Sequence, residues 1–136
     1  MRVLGVDFGG SRIGLAVGES EFGVTTARPP LSASGTLGKD AEAILQLARR
    51  EQADKIAVGM PLDANGEPTK MSRICEKLAV ELEKRGASVV RVNEAMSSQQ
   101  AESLLGDEGL KAAETRRRVD GEAARIILER FFEESE

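Results

Sequence analysis

Val3-Leu4-Gly5-Val6-Asp7-Phe8-Gly9-Gly10-Ser11-Arg12-Ile13-Gly14-Leu15-Ala16-Val17 sets two apolar runs on either side of a glycine-rich turn. Residues 2–7 alternate as a strand does, with Leu4 and Val6 on one face and Val3, Gly5 and Asp7 on the other. The turn Gly9-Gly10-Ser11-Arg12 is short, so Ile13 to Val17 predicts the second strand of an antiparallel hairpin. Val24-Thr25-Thr26 extends the meander to a third strand, which Pro29-Pro30 is expected to stop.

Downstream the period changes. Ala41, Ile44, Leu45 and Ala48 form a helical stripe within about 38–52. Lys55 to Gly59 reads as a short apolar strand, followed by a loop from Met60 to Pro68 that contains the turn signal Asn65-Gly66. Met71, Ile74, Cys75, Leu78 and Leu82 predict an amphipathic helix closed by Gly86, and Ser88 to Val92 another strand. Ser97-Ser98 can cap a short helix containing Ala101, Leu104 and Leu105. Gly106 to Arg116 carries no strong pattern and reads as a connector. A last helix over about 117–132 puts Val119, Ala123, Ile127 and Phe131 in one row, and Asp120, Ala124, Leu128 and Phe132 in the next. Strands separated by helices pair in parallel through right-handed crossovers, whereas the first three pair antiparallel. The expectation is an α/β domain over residues 1–136, with a mixed five-stranded sheet flanked by helices.

Composition narrows the chemistry. Histidine is absent and Cys75 is the single cysteine, which excludes His-dependent triads, His or Cys zinc sites and an internal disulfide. Trp and Tyr are absent too, which argues against a base-stacking platform. The net charge of −4 leaves nucleic-acid contact to local patches. The opening residues are too short in apolar length and too soon acidic for a secretory signal, and no apolar run could span a bilayer. A cytoplasmic address without membrane contact is expected.

Three acids are hard to explain by solubility. Asp7 lies in an apolar strand before flexible glycines, Glu94 just follows the strand ending at Val92, and Asp120 heads an apolar helical row. Each has an ordinary reading: Asp7 as a turn cap, Glu94 as one loop acid among 23, and Asp120 as an acid favourable to a helix start. Together, near the carboxyl ends of parallel strands, they could line the ligand crevice of an open α/β sheet. Their mutual repulsion would then call for cations, and oxygen ligands without His or Cys select Mg²⁺ or Mn²⁺. Two such ions about 3.5–4 Å apart activate water and stabilise a leaving oxygen in phosphodiester cleavage.

Val6 to Ala16 closely resembles the opening motif of the YqgF family of RNase H-like nucleases. Val58-Gly59-Met60-Pro61-Leu62 with Asn65-Gly66 resembles the family's second block, and Val119-Asp120 with Ala123-Ala124 and Ile126-Ile127-Leu128 its last. The blocks come in family order and cover essentially the whole chain. The resemblance implies an RNase H-like fold with Asp7, Glu94 and Asp120 as metal-binding acids. It also implies maturation of the 5′ end of pre-16S ribosomal RNA or, alternatively, cleavage of Holliday junctions. The third block departs from the family pattern. Where the family reads Asp-Glu-Arg-Leu-Thr/Ser-Thr, this chain has Asn93-Glu94-Ala95-Met96-Ser97-Ser98. Ala95 removes a bidentate phosphate donor, while Glu94 and the hydroxyls of Ser97 and Ser98 are kept.

Other cations could supply the grip on phosphate. Arg116-Arg117-Arg118 would oppose the dipole at the start of the last helix, so they need another reason to be there. Arg12, Lys70 and Arg73 are further candidates. Three function classes stay open: a metal-dependent endonuclease, a catalytically weak nucleic-acid-binding module suggested by Asn93 and Ala95, and an actin-like ATPase. The last needs a second related domain, for which 136 residues leave no room. Monomer and homodimer are both compatible with the sequence; a junction-cutting enzyme would favour a symmetric dimer.

Overall fold

A computed structural model describes residues 1–93 and 112–134, with side chains from residue 120 onward in the last helix. The order is β1 (Arg2–Phe8), β2 (Arg12–Glu19), β3 (Val24–Ser32), α1 (Leu37–Arg50), β4 (Lys55–Met60), α2 (Lys70–Lys84), β5 (Val89–Asn93) and α3 (Ala112–Glu134). The five strands form one sheet in the order β3-β2-β1-β4-β5. β1 and β3 pair antiparallel with β2, and β4 pairs in parallel with both β1 and β5. The mixed sheet expected from the sequence is therefore the one formed, with β1 at its centre.

Strand alternation divides the core in two. Leu4, Val6 and Phe8 of β1 join Ile44, Leu78 and Leu82 of α1 and α2 on one face. Val3 joins Ala124, Ile127 and Leu128 of α3 on the other. Each such large side chain, fully removed from water, stabilises the fold by roughly 1.5–3 kcal/mol. α2 begins at a reciprocal cap: the Ser72 amide donates to Thr69 Oγ1 at 3.0 Å, and the Thr69 amide to Ser72 Oγ at 2.7 Å. It ends at Gly86, whose positive φ of 91° suits glycine. α3 approaches β1 closely because position 5 has no side chain: a Cβ on Gly5 would lie 2.7 Å from Leu128 Cγ.

Two boundaries differ from expectation. β3 does not stop at the prolines but continues through them to Ser32. It is an edge strand, and its register shifts so that Pro29 and Pro30 lie across from Gly14, between the pairs Ile13↔Leu31 and Leu15↔Arg28. A bulge on an edge needs no ladder donor from those residues, so proline is tolerated. α3 begins at Ala112 rather than near 117, which takes part of the supposed connector into the helix. Ala112-Ala113-Glu114 and the arginines are strong helix formers without an apolar stripe, so propensity rather than periodicity carries the first turns. The short helix expected after Ser97-Ser98 lies outside the described residues. Among those described, no helix is long and apolar enough to cross a membrane.

Candidate active site

Asp7 is the penultimate residue of the central strand, and its half-buried side chain is the first acid the fold positions. The chain then turns through Gly9 and Gly10; Gly10 has a φ of 91°, and the Gly9 amide donates to the Arg12 carbonyl at 2.9 Å. β2 leaves this turn with Gly14 directly opposite Asp7. Residues directly opposed in an antiparallel pair project to the same face, so Asp7 shares the face that Gly14 leaves bare. Asp120 packs onto that bare spot: a Cβ on Gly14 would collide with the Asp120 carbonyl oxygen. Folding thus brings two of the three nominated acids to one face of the sheet, one from β1 and one from α3.

Asp120 does not stand alone. Arg12 Nε donates to its Oδ2 at 2.6 Å. The Asp120 side chain is 14% exposed and that of Arg12 41%, so a largely covered carboxylate is paired with a more exposed guanidinium. The donor chemistry is that of hard carboxylate oxygens, and Asp120 Oδ2 already accepts from a cation. These two acids therefore fit a hard divalent ion. Among the described residues no group of three acids forms a metal cluster. Glu94, the third acid expected there, lies outside the described residues, as do Ala95, Ser97 and Ser98.

The other nominated cations take varied positions. Lys70 and Arg73 are exposed in the first turn of α2. That turn abuts the glycine turn, since a Cβ on Gly10 would lie 3.6 Å from Met71 Cε. Arg73 also rims a cavity of about 430 Å³ between Met60, Leu62, Pro68 and Asn93, at the carboxyl ends of β4 and β5. Arg116, Arg117 and Arg118 lie in the second turn of α3, because the helix starts at Ala112. The dipole conflict expected of them, and the dipole benefit considered for Asp120, both lose their basis, since that field fades beyond the first turn. Sequence reading also passed over the Arg12–Asp120 pair and the seat at Gly14. Only a glycine between apolar strand residues hinted at a close backbone approach there.

A central strand with an acid at its penultimate position, and a second acid on the helix packed across its hairpin, is the arrangement of an RNase H-like fold. Thermus thermophilus RuvC in complex with a Holliday junction substrate superposes with a TM-score of 0.56 at 18% identity, over 99% of this chain and 95% of that one. A second Thermus thermophilus RuvC structure gives 0.54 at 19% identity, covering 99% and 96%. Likeness at that identity establishes the fold. The chain belongs to the RuvX (YqgF) family of nucleases, whose model, described as Holliday junction resolvase, matches residues 1–134. A relative from Anaeromyxobacter sp. (strain K), named "Putative pre-16S rRNA nuclease", is 38% identical over 98% of this chain and 97% of its own length. One of the same name from Mycoplasmopsis synoviae (strain 53) is 31% identical, covering 98% of both.

Proposed function

We propose that this chain is a single-domain, divalent-metal-dependent endonuclease that matures the 5′ end of pre-16S ribosomal RNA in the cytoplasm. The observation that carries the reading is Asp7 and Asp120 on one face of the sheet, joined through the Asp7↔Gly14 pair and the contact of Gly14 with Asp120. Glu94, the residue that follows β5 in the sequence, supports it as the third acid of the reading. The shared name of the relatives supports precursor rRNA as the substrate.

In this reading Asp7 and Asp120 hold two Mg²⁺ or Mn²⁺ ions, and Glu94 is a further ligand or orients the attacking water. Bound there, the ions supply Lewis acidity that makes water nucleophilic at neutral pH and offsets charge on the leaving oxygen. With no histidine in the chain, proton transfer falls to carboxylates and solvent. Arg12, Lys70, Arg73 and Arg116 to Arg118 position the phosphate backbone, and Ser97 and Ser98 offer hydroxyl donors to it. Trimming one RNA end needs only one such site.

The family's description as Holliday junction resolvase favours a second reading, in which the same acids cut four-way DNA junctions. Paired cuts would then call for a symmetric dimer. Side-by-side digestion of precursor rRNA and four-way DNA junctions with Mg²⁺ or Mn²⁺, with Asp7→Asn as control, tests both. Trimmed RNA with wild type and none with Asp7→Asn is expected. Junction cleavage without RNA cleavage selects the second reading. Salt-sensitive binding without turnover of either substrate would make the chain a binding module, the role suggested by Ala95.

A further inference from the structure

We infer that Arg12 is an exchangeable counter-ion, competing with divalent metal for Asp120 and released toward the substrate phosphate when metal binds. The inference rests on the proposed metal site and concerns how that site is loaded. Asp120 is largely covered and shares its face with Asp7, so its charge needs compensation whether or not a divalent ion is at hand. Arg12 provides it from the first position of β2, just past the glycine turn.

Three features make the pair suited to exchange. The contact is single, through Nε alone, rather than the two-pronged fork that makes Arg–carboxylate pairs hard to break. The guanidinium is 41% exposed, and among the described residues its terminal nitrogens make no hydrogen bond, which leaves them to donate to a further anion. The Arg12 backbone is held independently, by Gly9 donating to its carbonyl at 2.9 Å and by its pairing with Ser32. The side chain can therefore swing away without disturbing the strand. The oxygen that Arg12 occupies, Oδ2, is one that a hard cation at this carboxylate would claim. One residue thus compensates Asp120 before loading and contributes a phosphate donor afterwards.

Magnesium titration of the full chain, followed by NMR of the Arg Nε–H signals and the Asp carboxyl carbons, tests this. Arg12→Lys assigns the Arg12 signal. The Arg12 Nε–H is expected to lose its protection from solvent exchange in step with the shifts of the Asp7 and Asp120 carboxyls. Arg12→Gln is expected to bind Mn²⁺ roughly fivefold tighter than wild type, because the competing charge is gone. An Arg that merely supports the fold would on removal loosen the site, so unchanged or weaker Mn²⁺ binding by Arg12→Gln overturns the inference. So does a protected Arg12 Nε–H at Mg²⁺ saturation, a wild-type observation that holds even if Arg12→Gln fails to fold. In that case shifted carboxyls leave the metal site standing. Carboxyls that never respond to Mg²⁺ would remove the metal site and the inference with it.

Discussion

Gly14 of β2 and Asp120 of α3 touch backbone to backbone, so closely that position 14 has no room for a Cβ. The contact seats the helix-borne acid on the face that Asp7 shares from the neighbouring strand. A hairpin glycine therefore sets the spacing of the candidate site. Gly14→Ala is expected to push α3 off the sheet, destabilising the fold by about 1–3 kcal/mol. Metal-dependent cleavage should fall further than stability does. Urea unfolding and cleavage assays on the same preparation check both.

The phosphate grip is expected to be electrostatic. Replacing Arg116, Arg117 and Arg118 together by Gln should weaken nucleic-acid binding and flatten its dependence on salt, by about 0.9 in log–log slope for each duplex phosphate that is no longer neutralised. Binding titrations across a salt series measure that slope. An unchanged slope would make the three arginines a solvated helix face.

Away from the site, Glu51 closes α1 and ties two strands to it, accepting from Arg28 Nε at 2.7 Å and Arg2 Nη2 at 3.0 Å. Arg28, then Arg2, holds its carboxyl below the usual glutamate range despite partial burial. A carboxyl depressed on folding contributes stability that is present above its unfolded pKa of about 4.3 and is lost as pH falls through the lower folded value. Glu51→Gln should cost about 1 kcal/mol at neutral pH and less in acid. Thermal melts of both proteins from pH 7 to pH 3 should converge at the acid end.

The hairpin and the helical stripes were legible because alternation and 3.6-residue spacing are written locally: Leu4 and Val6 on one face, Ile44 and Leu78 on helical stripes. Pro29-Pro30 misled because tolerance of proline depends on whether a strand lies at the edge and where its register shifts, and neither is a local property. The start of α3 was missed because Ala112-Ala113-Glu114 favours a helix without marking an apolar face. Asp7 and Asp120 were nominated from the sequence, yet their shared face depends on the contact at Gly14. The Arg12–Asp120 bond joins residues from opposite ends of the chain, and only packing could reveal it.

Mn²⁺ affinity across the double-mutant cycle of Asp7→Asn and Asp120→Asn tests the central claim most directly. If the two carboxylates hold metal jointly, each single variant loses most of the binding, at least about tenfold, and the double variant loses little more, because residues of one site are not additive. Near wild-type Mn²⁺ affinity in folded Asp7→Asn, or strictly additive losses, would contradict a shared site.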